Sequence, residues 1–66
     1  MERGTVKVFN NSRGYGSIKR PNDLDVDFYV NSVDDNDRIS LKAGDAVLYE
    51  IETNRHRHTA IKVRKC

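Results

Sequence analysis

Sixty-six residues and 7.6 kDa leave room for one core, so residues 1–66 read as a single domain. With 36% hydrophobic and 33% charged residues, the chain is polar but outside the range of disordered sequences, and no run of about 18 apolar residues reads as a membrane span. Cys66 is the single cysteine, which excludes an internal disulfide framework and a cysteine-based zinc site. The first residues, Met1-Glu2-Arg3-Gly4, lack the apolar segment of a secretory signal, so a cytoplasmic location is expected.

The net charge of +2 hides a segregation. Residues 1–20 carry five basic and one acidic side chain, residues 21–52 two and nine, and residues 53–66 five and none. Two basic ends around an acidic middle fit a surface for a polyanion, or an ordinary solvated surface whose charges fall in blocks.

Thr5-Val6-Lys7-Val8-Phe9 alternates and is rich in β-branched and aromatic residues, which predicts a first strand. Strict alternation would put Val8 in the core with Val6. The turn formers Asn10-Asn11-Ser12-Arg13-Gly14 follow, and then a second strand over Tyr15–Arg20, stopped by Pro21-Asn22-Asp23. These two strands are close enough to pair as a hairpin. A third strand is predicted from Val26 to Asn31, with Val26, Phe28 and Val30 on one face and Asp27, Tyr29 and Asn31 on the other. Residues 32–44 form a polar connection. Val47, Tyr49 and Ile51 then alternate in a fourth strand, and Ile61 and Val63 in a fifth, joined by the loop Thr53-Asn54-Arg55-His56-Arg57. Five short strands in so short a chain favour an all-β closed barrel, which removes sheet edges and leaves one core.

The outer face of the second and third strands carries the chemistry. Tyr15 and Ser17 alternate with Gly16 and Ile18, Arg13 precedes the first tyrosine, and Lys7 reaches the same surface. An aromatic platform bordered by cations suits single-stranded nucleic acid, because bases stack on rings and basic groups neutralise phosphates. The competing reading makes Tyr15 and Tyr29 half-buried packing residues with their hydroxyls in water.

Several motifs in order resemble one family. Gly4-Thr5-Val6-Lys7-Val8-Phe9-Asn10 is similar to the opening of bacterial cold-shock proteins, and Arg13-Gly14-Tyr15-Gly16-Ser17-Ile18 to their first ribonucleoprotein motif. Asp27-Phe28-Tyr29-Val30-Asn31 resembles a worn second motif, and Ser40-Leu41-Lys42-Ala43-Gly44-Asp45-Ala46-Val47 the run into the fourth strand. Within the family, the opening and Leu41-Lys42-Ala43-Gly44 look most like the stationary-phase, replication-inhibiting branch. The resemblance implies a five-stranded antiparallel OB-fold barrel that binds single-stranded RNA or DNA with little sequence specificity, as an RNA chaperone or single-strand cover. It implies contacts from Lys7, Val8, Arg13, Tyr15, Ser17, Tyr29, Asn31, Arg55 and His56. It also implies losses: the family usually has tryptophan at Val8, an aromatic at Ser17 and histidine at Asn31, so two rings remain of about half a dozen. Arg57 and His58 stand where the family tends to Gly-Pro, and a shift from stacking towards salt-sensitive phosphate contacts is expected.

Other features carry less. His56 and His58 lack a third ligand and sit beside Arg55 and Arg57, so no metal is expected. Asp34-Asp35-Asn36-Asp37 lacks the glycine and distal glutamate of a calcium loop. No cofactor, membrane partner or catalytic constellation is expected, and weak homodimerisation is left open. The rival readings are a protein-interaction module built on a barrel that has lost nucleic-acid binding, and a ribosome binder similar to initiation factor one.

Overall fold

The computed structural model describes residues 1–21 and 24–66. Five strands, β1 (Glu2–Asn10), β2 (Tyr15–Lys19), β3 (Val26–Tyr29), β4 (Ala46–Asn54) and β5 (Arg57–Lys65), close into a barrel in the order β1-β2-β3-β5-β4. Four of the five seams are antiparallel as expected, and the β3–β5 seam is parallel, with Asp27 opposite Thr59 and Phe28 opposite Ala60. Asn22 and Asp23, part of the predicted stop after β2, lie outside the described residues.

The interior is filled by Val6, Ile18, Val26, Phe28, Val33, Leu41, Val47, Tyr49, Ala60 and Val63. Phe9 and Ile51 pack against that cluster while partly exposed. One row organises the first three strands. Phe9, Gly16 and Phe28 are register partners across β1, β2 and β3. The two rings stack over the glycine, with centroids 5.4 Å apart and planes 27° apart. A Cβ at Gly16 would lie 2.4 Å from the Val8 carbonyl oxygen and 2.9 Å from Phe28 Cζ. Gly16 therefore serves interior packing, beyond leaving the neighbouring tyrosine uncovered.

Two irregularities depart from simple alternation. In β1 the register passes from Val6 opposite Ile18 to Val8 opposite Ser17, so Lys7 is an extra residue. The bulge turns Val8 outward, 53% exposed, and returns Phe9 to the inside. In β5 the step from Arg64 to Ile61 faces only Leu48 to Glu50. Lys62 there adopts a φ of 53°, and the extra residue puts Ala60 and Val63 inside with Ile61 half-exposed. The predicted pairing of Ile61 with Val63 on one face is thus corrected.

The third strand is also shorter than expected. β3 ends at Tyr29, and Val30–Ser32 form a single 3-10 turn. The Val30 N–H donates to the Gly14 carbonyl at 2.8 Å, which pulls the chain towards the β1–β2 turn and ends the ladder. Val30 is consequently half-buried, and Asn31 leaves the strand.

Overpacking at Gly16 gives a direct test of the central row. Gly16→Ala should lower stability in urea denaturation by about 1–3 kcal/mol. Unchanged stability of the Gly16→Ala variant would mean that the two phenylalanines do not close over this position.

Candidate nucleic-acid interface

On the outer face, Tyr15 sits directly opposite Tyr29, and each is 47% exposed. The adjoining row runs Val8–Ser17–Asp27–Thr59 across four strands. Residues two apart on a strand share a face, so both rows present their side chains together. The half-buried reading of the tyrosines is therefore met halfway: each ring keeps about half its surface in solvent.

Arg13 reaches this face from the β1–β2 turn. Its backbone N–H donates to Asn10 Oδ1 at 3.1 Å, and the Gly14 N–H donates to the Asn10 carbonyl at 2.8 Å. Gly14 takes a φ of 80°, which a side chain rarely adopts. Val8, Arg13, Tyr15, Ser17 and Asp27 line a shallow depression of about 290 Å³.

Tyr29 also borders a second depression, of about 730 Å³, lined by Arg55, His56, Arg57, Glu52 and Ile61 among others. The predicted loop over 53–57 is a tight hairpin in which Asn54 pairs with Arg57 and only Arg55 and His56 turn. Arg55 has a φ of 57°, a left-handed conformation more readily held by glycine. The hairpin thus carries Arg55 and His56 to the edge of Tyr29.

Asn31 is not brought into this surface. It lines a separate depression with Asp34, Asp35, Arg38, Lys62 and Arg64. Lys7 is exposed at the bulge, but its Nζ is engaged by Asp25 Oδ2 at 2.9 Å. Ser17 is half-buried between Val8 and Asp27.

Two charged groups were absent from the expected site. Asp27 stands in the middle of the outer face, and its Oδ2 lies 3.9 Å from Arg57 Nη2. The alternation of β3 already put Asp27 on the face of Tyr29, so the signal was in the sequence. The pairing with Arg57 was not, because it joins residues thirty apart. Arg13 and Arg55 carry no ion pair among the described residues. The acidic loop is held elsewhere: Asp37 Oδ2 accepts from the Lys65 N–H at 2.9 Å, and Asp35 pairs with Arg38 at 2.9 Å.

A closed five-stranded barrel with paired tyrosines and, among the described residues, arginines free of ion pairs on one outer face is an OB-type domain arranged for nucleic acid. Comparison with known proteins specifies the family. The model of the 'Cold-shock' DNA-binding domain matches residues 2–66. Cold shock protein CspC of Bacillus subtilis (strain 168) is 35% identical over 65 residues, 98% of each chain. The major cold shock protein of Streptococcus pyogenes serotype M18 is 31% identical over 65 residues, covering 98% of this chain and 97% of that one. The solved structure of drosophila Unr CSD456 superposes with a TM-score of 0.81 at 21% identity, over 98% of this chain and 26% of that longer one, a likeness of fold. The chain belongs to the cold-shock domain family, and its binding chemistry is nucleic-acid binding of cold-shock type. No helix among the described residues is long and apolar enough to cross a membrane.

The strain at Arg55 has a measurable cost. Arg55→Gly should raise stability by about 1 kcal/mol, a shift in Tm of about 4–8 °C for a domain of this size. An unchanged or lowered Tm would show that the hairpin holds this conformation without strain.

Proposed function

We propose that this domain binds single-stranded RNA or DNA across the Tyr15–Tyr29 face, by stacking bases on the two rings and contacting phosphates with Arg13, Arg55 and His56. The observation that carries the reading is the direct opposition of two half-exposed tyrosines, flanked by depressions that each contain an arginine with no ion pair among the described residues. Stacking is sequence-tolerant because every base has a π-face, so the domain covers or remodels exposed strands with no catalytic step. Lys7 and Arg57 contribute less, since each already faces a carboxylate. Such exposed pairs are worth only about 0–1 kcal/mol, and a phosphate can displace them.

The salt dependence follows from the count of free cations. Single-strand contacts contribute about 0.7 each to the slope of log K against log salt, so two arginines give a slope of about −1.4. The decisive test is binding of labelled oligo-dT and oligo-U, at low and near-physiological salt, to the native chain and to the double variant Tyr15→Ala, Tyr29→Ala. Loss of two stacking partners should weaken binding by about 2–6 kcal/mol while the circular-dichroism melt persists. Equal affinity of variant and native protein would remove the rings from the interface. Absence of binding by the native protein at low salt would instead favour a protein-interaction role for this face.

A further inference from the structure

We propose that a depression at the far end of the β1–β2 hairpin binds the phosphate backbone of a second nucleic-acid segment, an inference that rests on the single-strand reading above. The depression, of about 420 Å³, is lined by Arg3, Lys19 and Arg20 around Gly4, Thr5 and Ala46, whose side chains are short or absent. Strand pairing builds it. Lys19, Thr5 and Ala46 are register partners across β2, β1 and β4, and all three are exposed. Arg3 lies two residues from Thr5 and shares its outward face. Gly4, between them, points inward, where a Cβ would lie 2.6 Å from Ile18 Cγ2. Interior packing therefore fixes the direction in which Arg3 and Thr5 face.

The charge of this depression is one-sided. No carboxylate lines it among the described residues, whereas the depressions beside Tyr15 and Tyr29 contain Asp27 and Glu52. Arg3 and Lys19 make no ion pair among the described residues. Arg20 is held in position, its Nε donating to the Leu24 carbonyl at 2.7 Å and its Nη1 3.9 Å from Glu2 Oε1. Arg3 and Lys19 thus supply the charge that is available to a ligand. No aromatic ring lines the depression, so it can hold a backbone by charge but has no platform for a base. It is also separate from the stacking face. Tyr15 and Lys19 stand at opposite ends of β2, about 13 Å apart at about 3.3 Å per residue. Asp27, opposite Ser17 in the middle of β2, puts a carboxylate beside the line between them. A strand stacked on the tyrosines is repelled along that line, which favours a second segment as the occupant. The domain then holds two segments at once, one by its rings and one by its charges.

The test follows backbone amide NMR shifts of the full chain during titration with hexathymidylate at low salt. Amides around Tyr15 and Tyr29 should saturate first. Amides of Gly4, Thr5, Lys19 and Ala46 should then shift in a second phase, at least about tenfold weaker because it lacks stacking. At about 0.7 per phosphate contact, Arg3 and Lys19 give this phase a salt slope of about −1.4, so a tenfold rise in salt should weaken it about 25-fold. Arg3→Gln combined with Lys19→Gln should abolish the second phase with an unchanged melting curve. The first phase should stay within about twofold, because the two sites share no partner. Arg3→Lys combined with Lys19→Arg should keep both phases. A single phase with no shift at Gly4, Thr5, Lys19 or Ala46 would overturn the second site and leave the stacking face intact. A second phase that survives the double glutamine substitution would also overturn it. Shifts of both groups of amides in one phase would mean one continuous strand, and equal shifts from inorganic phosphate at matched phosphate concentration would mean a general anion site. Either result overturns the assignment. Absence of every shift would overturn the single-strand reading and this inference together.

Discussion

The structure depends on the absence of one carbon atom. Gly16 has no Cβ, and the space it leaves lets Phe9 and Phe28 stack across β2 from the strands on either side. An aromatic pair joined over a glycine fixes the register of three strands at once, because a slip by one residue would send every side chain to the opposite face. Alternation then dictates the outside. With Phe9, Gly16 and Phe28 in one inward row, Asn10, Tyr15 and Tyr29 must form the next row outward. The tyrosine pair is thus a consequence of interior packing, and the rigidity of the core passes to the surface. The bulge at Lys7 completes this arrangement. It lets Val6 and Phe9, three residues apart, both point inward, and exposes Lys7 and Val8 between them.

Charge segregation along the chain does not become charge segregation of the same size in space. Lys7 faces Asp25, Arg57 faces Asp27 and Lys65 faces Asp45. The basic ends are in this way partly neutralised by the acidic middle, as expected when antiparallel seams bring distant segments together. Around the tyrosines the balance is different. Arg13 beside Tyr15 and Arg55 beside Tyr29 approach from two turns and make no ion pair among the described residues. Local availability of cations, more than the net charge of +2, sets what the face can attract.

The barrel was legible because its signals are local. Tyr15–Lys19 alternates with period two, Thr5–Phe9 reads as a strand although the bulge at Lys7 turns Val8 out, turn formers separate them, and Val47 and Tyr49 point inward as their spacing implies. What could not be read were positions where the backbone leaves alternation without a glycine or proline to mark it. Lys62 and Arg55 both take positive φ values with long basic side chains, and nothing in the residue types announces either. The end of β3 at Tyr29 was hidden for a related reason. It is set by a hydrogen bond from Val30 to Gly14, a tertiary contact between residues that the sequence holds sixteen apart. The outward opposition of the two tyrosines of the candidate site was accessible to sequence reasoning, whereas the ion pairs around them were not. Asn31 shows the cost of extrapolating a strand by two residues, since it lines a different depression from Tyr29.

The small number of rings changes what each remaining group can decide. Two stacked bases contribute about 2–6 kcal/mol, whereas a micromolar complex needs about 8. On the proposed reading, phosphate contacts therefore supply a comparable share of the binding energy. Ser17, where the family usually has an aromatic, thins the stacking surface between Val8 and Asp27. On that reading the balance moves from stacking towards salt-sensitive contacts with the nucleic-acid backbone, and Tyr15 and Tyr29 carry all the stacking that remains.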